Sequence, residues 1–137
     1  MKICDTSVLA DIDRGGVDAK VARLDDEGRH AISIVTVTEL RLGVEVQYDR
    51  GTDSHAAACE DLDRLFSRFD ILPISRSVAT TAATTIATLR ASGDRLDDLH
   101  DVYIAATAVI KNLPVLTANV DDFERIDGVR VVDWNDV

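Results

Sequence analysis

The stretch from Asp101 to Phe123, DVYIAATAVIKNLPVLTANVDDF, limits the fold more than any other part of the chain. From Val102 to Ile110 the residues are apolar nearly all the way round, the pattern of a helix buried on every side rather than of an amphipathic surface helix. Ala105, Ala106 and Ala108 let such a helix lie close against a sheet. Lys111-Asn112 closes it, and Leu113 to Thr117 reads as a short buried strand, with Pro114 near its start, where no ladder donor is needed. A new helical turn opens at Asn119-Val120-Asp121-Asp122. One carboxylate, Asp101, therefore begins a buried helix, and another, Asp122, follows the strand beside it. Charge is rarely carried to the edge of a core without a use.

The rest of the chain alternates in the same way. Lys2-Ile3-Cys4 is a strand ending at Asp5, followed by a short helix from Thr6 to Ile12 that Gly15-Gly16 ends. Asp18 caps a second helix that runs to Asp26. Ala31 to Val35 is the next strand, and Thr36 opens a helix to Val46 with two apolar stripes, Val37/Leu40/Val44 and Leu42/Val46, which require two packing partners. Beyond a polar loop at Tyr48 to Asp53, a helix from Ser54 to Arg68 carries Cys59, Leu62, Phe66 and Phe69 at core spacing. Asp70 to Ile74 is a strand, Ser77 to Ala91 a helix, and Val129 to Val132 the last strand before Trp134. Strands separated throughout by helices predict an α/β fold: a three-layer α/β/α domain spanning 1-137 around a central, mostly parallel sheet. In such sheets sites form at the carboxyl ends of the strands.

Composition enters where it bears on partners. A hydrophobic content of 46% supports a real core. No run of eighteen apolar residues occurs and charge appears at once in Met1-Lys2-Ile3-Cys4-Asp5, so neither a membrane span nor a signal peptide is expected and the expected location is cytoplasmic. Cys4 and Cys59 read as buried thiols; His30, His55 and His100 are scattered, which argues against zinc. The formal net charge of −10 comes from twenty Asp and five Glu against twelve Arg and three Lys, a balance that resembles proteins of salt-loving archaea. Where the screening length is about 3 Å, such acidity does not exclude a nucleic-acid partner.

Four acids fall at strand ends or helix starts on one rim: Asp5, Glu39, Asp101 and Asp122. Each alone has a capping explanation. Thr36-Val37-Thr38-Glu39 reads as a capping box, and Asp98 to Asp101 and Asn119 to Asp122 repeat its spacing. Four acids on one rim need more, because like charges raise one another's pKa and cost stability unless a cation neutralises them. Several charged oxygen ligands suit Mg²⁺ or Mn²⁺. A phosphotransfer receiver domain would need paired acids after its first strand and a Lys after its last, and a haloacid-dehalogenase phosphatase needs Asp-x-Asp; Asp5-Thr6-Ser7 supplies neither pattern, and no Lys follows Val132. A folded but inactive partner-binding protein, with acids that only cap helices, is the remaining non-nuclease reading.

These motifs resemble those of the PIN-domain family. Asp5-Thr6-Ser7-Val8-Leu9 is similar to its opening motif, Thr36 to Gly43 to its second, Asp101 to Ala108 to its third and Thr117 to Ile126 with Gly128 to its fourth, in matching order from Ile3 to Trp134. The short single-domain form resembles the VapC-type toxins of prokaryotic toxin–antitoxin pairs. The resemblance implies a Mg²⁺- or Mn²⁺-dependent endoribonuclease, a homodimer, held inactive by a VapB-type antitoxin; a PIN-like RNA-processing nuclease without an antitoxin is the alternative within the family. It implies that Asp5 and Asp101 hold the metal, that Glu39 and Asp122 are further ligands or orient a water, and that Thr6 or Ser7 donates to a carboxylate or phosphate oxygen. Asn119 stands where many members have Asp, so Asn119, Asp122 or both complete the pocket, and Asp121 faces solvent. Asp98 is a cap or an outer acid. Gly43 leaves space for the scissile phosphate or serves close helix packing, and Arg41, Arg95 and Arg125 are phosphate contacts or surface charge. The antitoxin is expected in a groove between the Val37–Val46 helix and the Phe66/Phe69 helix.

Overall fold

A computed structural model describes residues 1–94 and 98–137. In chain order the elements are β1 (Ile3–Cys4), α1 (Thr6–Arg14), α2 (Asp18–Asp26), β2 (Ala31–Ser33), α3 (Ile34–Gln47), α4 (Asp53–Phe66), β3 (Asp70–Leu72), α5 (Arg76–Ala91), α6 (Leu99–Lys111), β4 (Val115–Thr117), α7 (Val120–Glu124) and β5 (Val131–Asp133), with a closing 3₁₀ turn at Trp134–Asp136. The five strands form one sheet in the order β3-β2-β1-β4-β5, and every pairing is parallel. The mostly parallel sheet read from the sequence is thus wholly parallel among the described residues.

Register explains the three layers. Ile3 lies beside Ala31 and Val115, and Cys4 beside Ile32 and Leu116. Successive strand residues point to opposite faces. Ile3 and Val115 enter one core with Val78, Ala82 and Leu89 of α5 and Val102 and Ala105 of α6. Cys4, Ile32 and Leu116 enter the other with Val8 and Leu9 of α1, Leu24 of α2, Leu62 and Phe66 of α4 and Trp134. Burial pushes the Cys4 thiol up to about 12, so it is a packing group and not a reactive one.

Several local readings are corrected. The helix after β2 begins at Ile34, with Ser33 as its cap through a bond from the Val35 N–H to Ser33 Oγ at 3.1 Å. Thr36 is fully buried within α3, so Thr36 to Glu39 is not a capping box: β2 stops after three residues and the helix starts three residues earlier than its pattern suggests. Asp18 is the first residue of α2, and Val17 occupies the cap without a side-chain bond; the Asp18 charge helps through the helix dipole alone. Asn119 likewise makes no side-chain cap bond at α7, whereas Asp98 caps α6 as expected.

The central helix is buried from Val102 to Ala108 apart from half-buried Tyr103, but Val109 and Ile110 are 38% and 42% exposed. It leaves the core in its last turn, where Asn112, at a φ of 55°, closes it in the left-handed conformation. Thr107 satisfies its buried hydroxyl by donating to the Tyr103 carbonyl at 2.8 Å. On α3 the Val37/Leu40/Val44 stripe packs into the second core, while Leu42 and Val46 are 57% and 79% exposed. Phe66 and Phe69 are buried in that same core, so they do not line a groove beside α3. Cys59 is only half-buried.

Candidate active site

In an open parallel sheet the crevice lies where the strand order reverses, here between β1 and β4. Asp5 follows β1 directly, caps α1 and is 2% exposed. Its Oδ1 accepts from the Ser7 N–H at 3.1 Å and from Ser7 Oγ at 2.5 Å, and its Oδ2 accepts from Thr117 Oγ1 at 2.9 Å. Thr117 ends β4 and takes the Asn119 N–H at 2.8 Å, while Ser7 Oγ takes the Ala118 N–H at 3.1 Å. The ends of β1 and β4 are therefore tied together around one carboxylate. Burial raises the Asp5 pKa and the Ser7 and Thr117 hydrogen bonds oppose that rise.

Glu39 comes from the second turn of α3. Its Oε1 accepts from Thr6 Oγ1 at 2.8 Å, and Thr6 Oγ1 lies 3.1 Å from Thr36 Oγ1, so the buried Thr36 props the hydroxyl that holds Glu39. On the other side Glu39 Oε2 is 3.5 Å from His100 Nδ1, which is 3.4 Å from Asp98 Oδ1.

Asp101, in the first turn of α6, joins these parts. Its carboxyl is lifted to about 7, first by burial and then by the negative charges of Asp98, Asp5, Asp122 and Glu39. Carboxylates from the start of α1, from α3, from α6 and from α7 thus act on one another. Among the described residues, Glu39, Asp98 and His100 form a group whose ligand atoms all lie within 4.8 Å of one another; Asp5, Asp101 and Asp122 do not belong to it, and what links them to it is the electrostatic effect on Asp101. Asp122, Asp121 and Asn119 are exposed and line an open depression with Asp133.

The donors facing this space are carboxylate oxygens with one imidazole at the edge. That set fits a hard divalent cation better than a soft one, and a charge of that kind relieves the repulsion that raises Asp101. Gly43 is exposed, and a Cβ built on it would meet nothing within 4 Å, which removes close packing within the chain as its reason. Arg41 Nε donates to Glu45 Oε1 at 3.0 Å and Arg125 Nε to the Asp122 carbonyl at 3.2 Å; Arg95 lies outside the described residues.

Thr36, Thr117 and His100 belong to this neighbourhood; the sequence reading gives Thr36 only a capping role and does not single out the other two as site residues. A polar residue ending a buried strand was the available signal for Thr117, and a position next to Asp101 in the first turn of the helix was the signal for His100.

The sequence matches the PIN domain family over residues 2–129. It is 34% identical over 134 residues to Ribonuclease VapC1 of Methanocaldococcus jannaschii, covering 96% of this chain and 86% of that protein. Among solved structures, FitAcB from Neisseria gonorrhoeae is similar with a TM-score of 0.81 and 29% identity, each chain covered to 100%. VapBC-5 from Mycobacterium tuberculosis, a member of the VapBC family of toxin–antitoxin systems, is similar with a TM-score of 0.65 and 32% identity over 96% of this chain and 95% of that one. With sequence, topology and acidic crevice in agreement, the chain belongs to the PIN-domain family, in its VapC group.

Proposed function

We propose that this protein is the toxin of a type II toxin–antitoxin pair, an endoribonuclease that hydrolyses RNA phosphodiester bonds in a divalent-ion pocket formed by Asp5, Glu39, Asp101 and Asp122. The observation that carries the reading is the Asp101 carboxyl, raised to about 7 by burial and by four neighbouring acids. An acid cluster of this kind is costly without a cation. The relatives named as ribonucleases and as VapBC complexes support the same conclusion.

In this reading Asp5 and Asp101 are the inner ligands, and Ser7 and Thr117 hold Asp5 in one orientation. Thr6 does the same for Glu39. Glu39 and Asp122 complete the ligand set or hold the attacking water by a hydrogen bond, with Asn119 beside them at the open edge. Bound Mg²⁺ or Mn²⁺ supplies a lowered water pKa and neutralises charge developing on the phosphate. His100 orients Glu39 from the outside. Gly43 leaves the approach to the crevice open.

The antitoxin, a VapB-type chain, covers the exposed Leu42/Val46 stripe of α3, and a second copy of the protein covers Val109 and Ile110 in a homodimer. Among the described residues no helix is long and apolar enough to cross a membrane; in this reading the toxin acts in the cytoplasm, and its Asp-rich, Lys-poor composition resembles that of proteins from salt-loving archaea. The test is cleavage of purified tRNAs and ribosomal RNA at high salt with Mg²⁺, Mn²⁺ or a chelator. Cleavage that needs the ion supports the reading, and cleavage unaffected by chelator, or no cleavage of any RNA, refutes it.

A further inference from the structure

A second group of ligands sits away from the acidic crevice. His55 and Cys59 are one turn apart on α4 and face Glu45 near the end of α3. His55 Nε2 is 3.0 Å from Glu45 Oε1 and 3.8 Å from Cys59 Sγ, and one ligand atom from each of the three lies within 4.8 Å of the others. The His55 side chain is 12% exposed and that of Glu45 27%. From the sequence the histidines looked scattered; the packing of α4 on α3 is what gathers this set.

Two of the ligand spacings approach those of a tetrahedral transition-metal site. With metal–sulfur near 2.3 Å and metal–nitrogen and metal–oxygen near 2.05 Å, ligand pairs around zinc stand about 3.6 Å (N to S) and about 3.3 Å (N to O) apart. The observed 3.8 and 3.0 Å are each within a few tenths of an ångström of those values; Sγ is also 3.9 Å from Nδ1, so binding an ion requires the Cys59 side chain to turn toward the Nε2 edge of the ring. A thiolate, an imidazole and a carboxylate select a borderline-soft cation, unlike the carboxylate crevice. Arg41 Nε is 3.0 Å from the same Oε1 that faces His55, and Arg50 is 3.6 Å from Oε2; both guanidinium groups orient the carboxylate as partners of a ligand do.

We propose that Glu45, His55 and Cys59 form a binding site for a zinc-class cation that clamps α4 to α3. The clamp fixes the far end of the helix that carries Glu39, and its fourth position is left to water. It is independent of the ribonuclease reading, since it shares no ligand with the acidic crevice.

The test is titration of the full chain, freed of metal by chelation, with Co²⁺ as an optical probe and then with Zn²⁺. One Co²⁺ per chain is expected to give thiolate-to-metal absorption that Zn²⁺ displaces, with a rise in melting temperature on adding Zn²⁺. Cys59→Ser is expected to abolish the absorption, and Glu45→Gln to weaken affinity by at least about tenfold, whereas Asp5→Asn leaves both signals intact. Absence of thiolate absorption, or its persistence in Cys59→Ser, overturns the proposal, as does its loss in Asp5→Asn with the fold preserved. None of these readouts uses RNA, so failure here is distinct from failure of the nuclease reading.

Discussion

Thr117 Oγ1 donates to Asp5 Oδ2 at 2.9 Å across 112 positions of sequence, and this bond ties the carboxylate at the end of one strand flanking the crevice to the end of the other. A hydrogen bond to a buried charged group is worth about 1.5–3 kcal/mol. Thr117→Val is therefore expected to lose about that much stability in urea unfolding, while Thr117→Ser keeps most of it. A Thr117→Val variant as stable as the parent contradicts the role given to this bond.

Asp101 sets the pH response. Its folded pKa of about 7 lies above the ordinary value of 3.8, so the folded, metal-free protein holds a proton that the unfolded chain has released. The resulting stabilisation is full below pH 3.8 and is lost as pH rises to about 7. Metal-free protein should show this contribution as a melting temperature that falls across that window and then levels. The same proton competes with the ion, so Mn²⁺ affinity measured by calorimetry is expected to fall about tenfold for each pH unit below 7. Affinity independent of pH across neutrality speaks against Asp101 as a ligand.

Replacing Asp101 separates stability from activity. Asp101→Asn removes a charge opposed by four others and is expected to raise the melting temperature of the metal-free protein. A direct ligand should cost more than the roughly 10–100-fold typical of outer partners, so RNA cleavage should fall by more than about 100-fold. A less stable variant, or one that cleaves at the parent rate, is the contrary result.

The layered fold and the four acids were legible because both follow from local pattern. Short apolar runs alternating with helical periods give the parallel sheet, and acids directly after strands or in the first two turns of the helices that follow them gather where strands end. The boundary of α3 was misread because Thr36 to Glu39 carries a capping spacing, and only the sheet shows that Ser33 stops the strand and takes the cap. The exposed end of α6 was missed for a related reason: apolar Val109 and Ile110 look like core in the sequence, and only the folded chain shows both side chains exposed. Thr117 and His100 owe their roles to partners far off in the chain, and no local signal names those partners.

The Leu42/Val46 stripe gives a surface test. Both side chains are more than half exposed, so Leu42→Asp with Val46→Asp should shift stability by no more than about 1 kcal/mol, from the about ±0.5 kcal/mol usual per surface change. Cleavage should persist and inhibition by the cognate antitoxin should be lost. Retained inhibition assigns the antitoxin to another face.

The most direct measurement is Mn²⁺-dependent cleavage of one RNA by the parent and by Asp5→Asn, both shown to be folded by circular dichroism. The account predicts cleavage by the parent that chelator stops, and none by Asp5→Asn. Equal rates for the two proteins in Mn²⁺ contradict it.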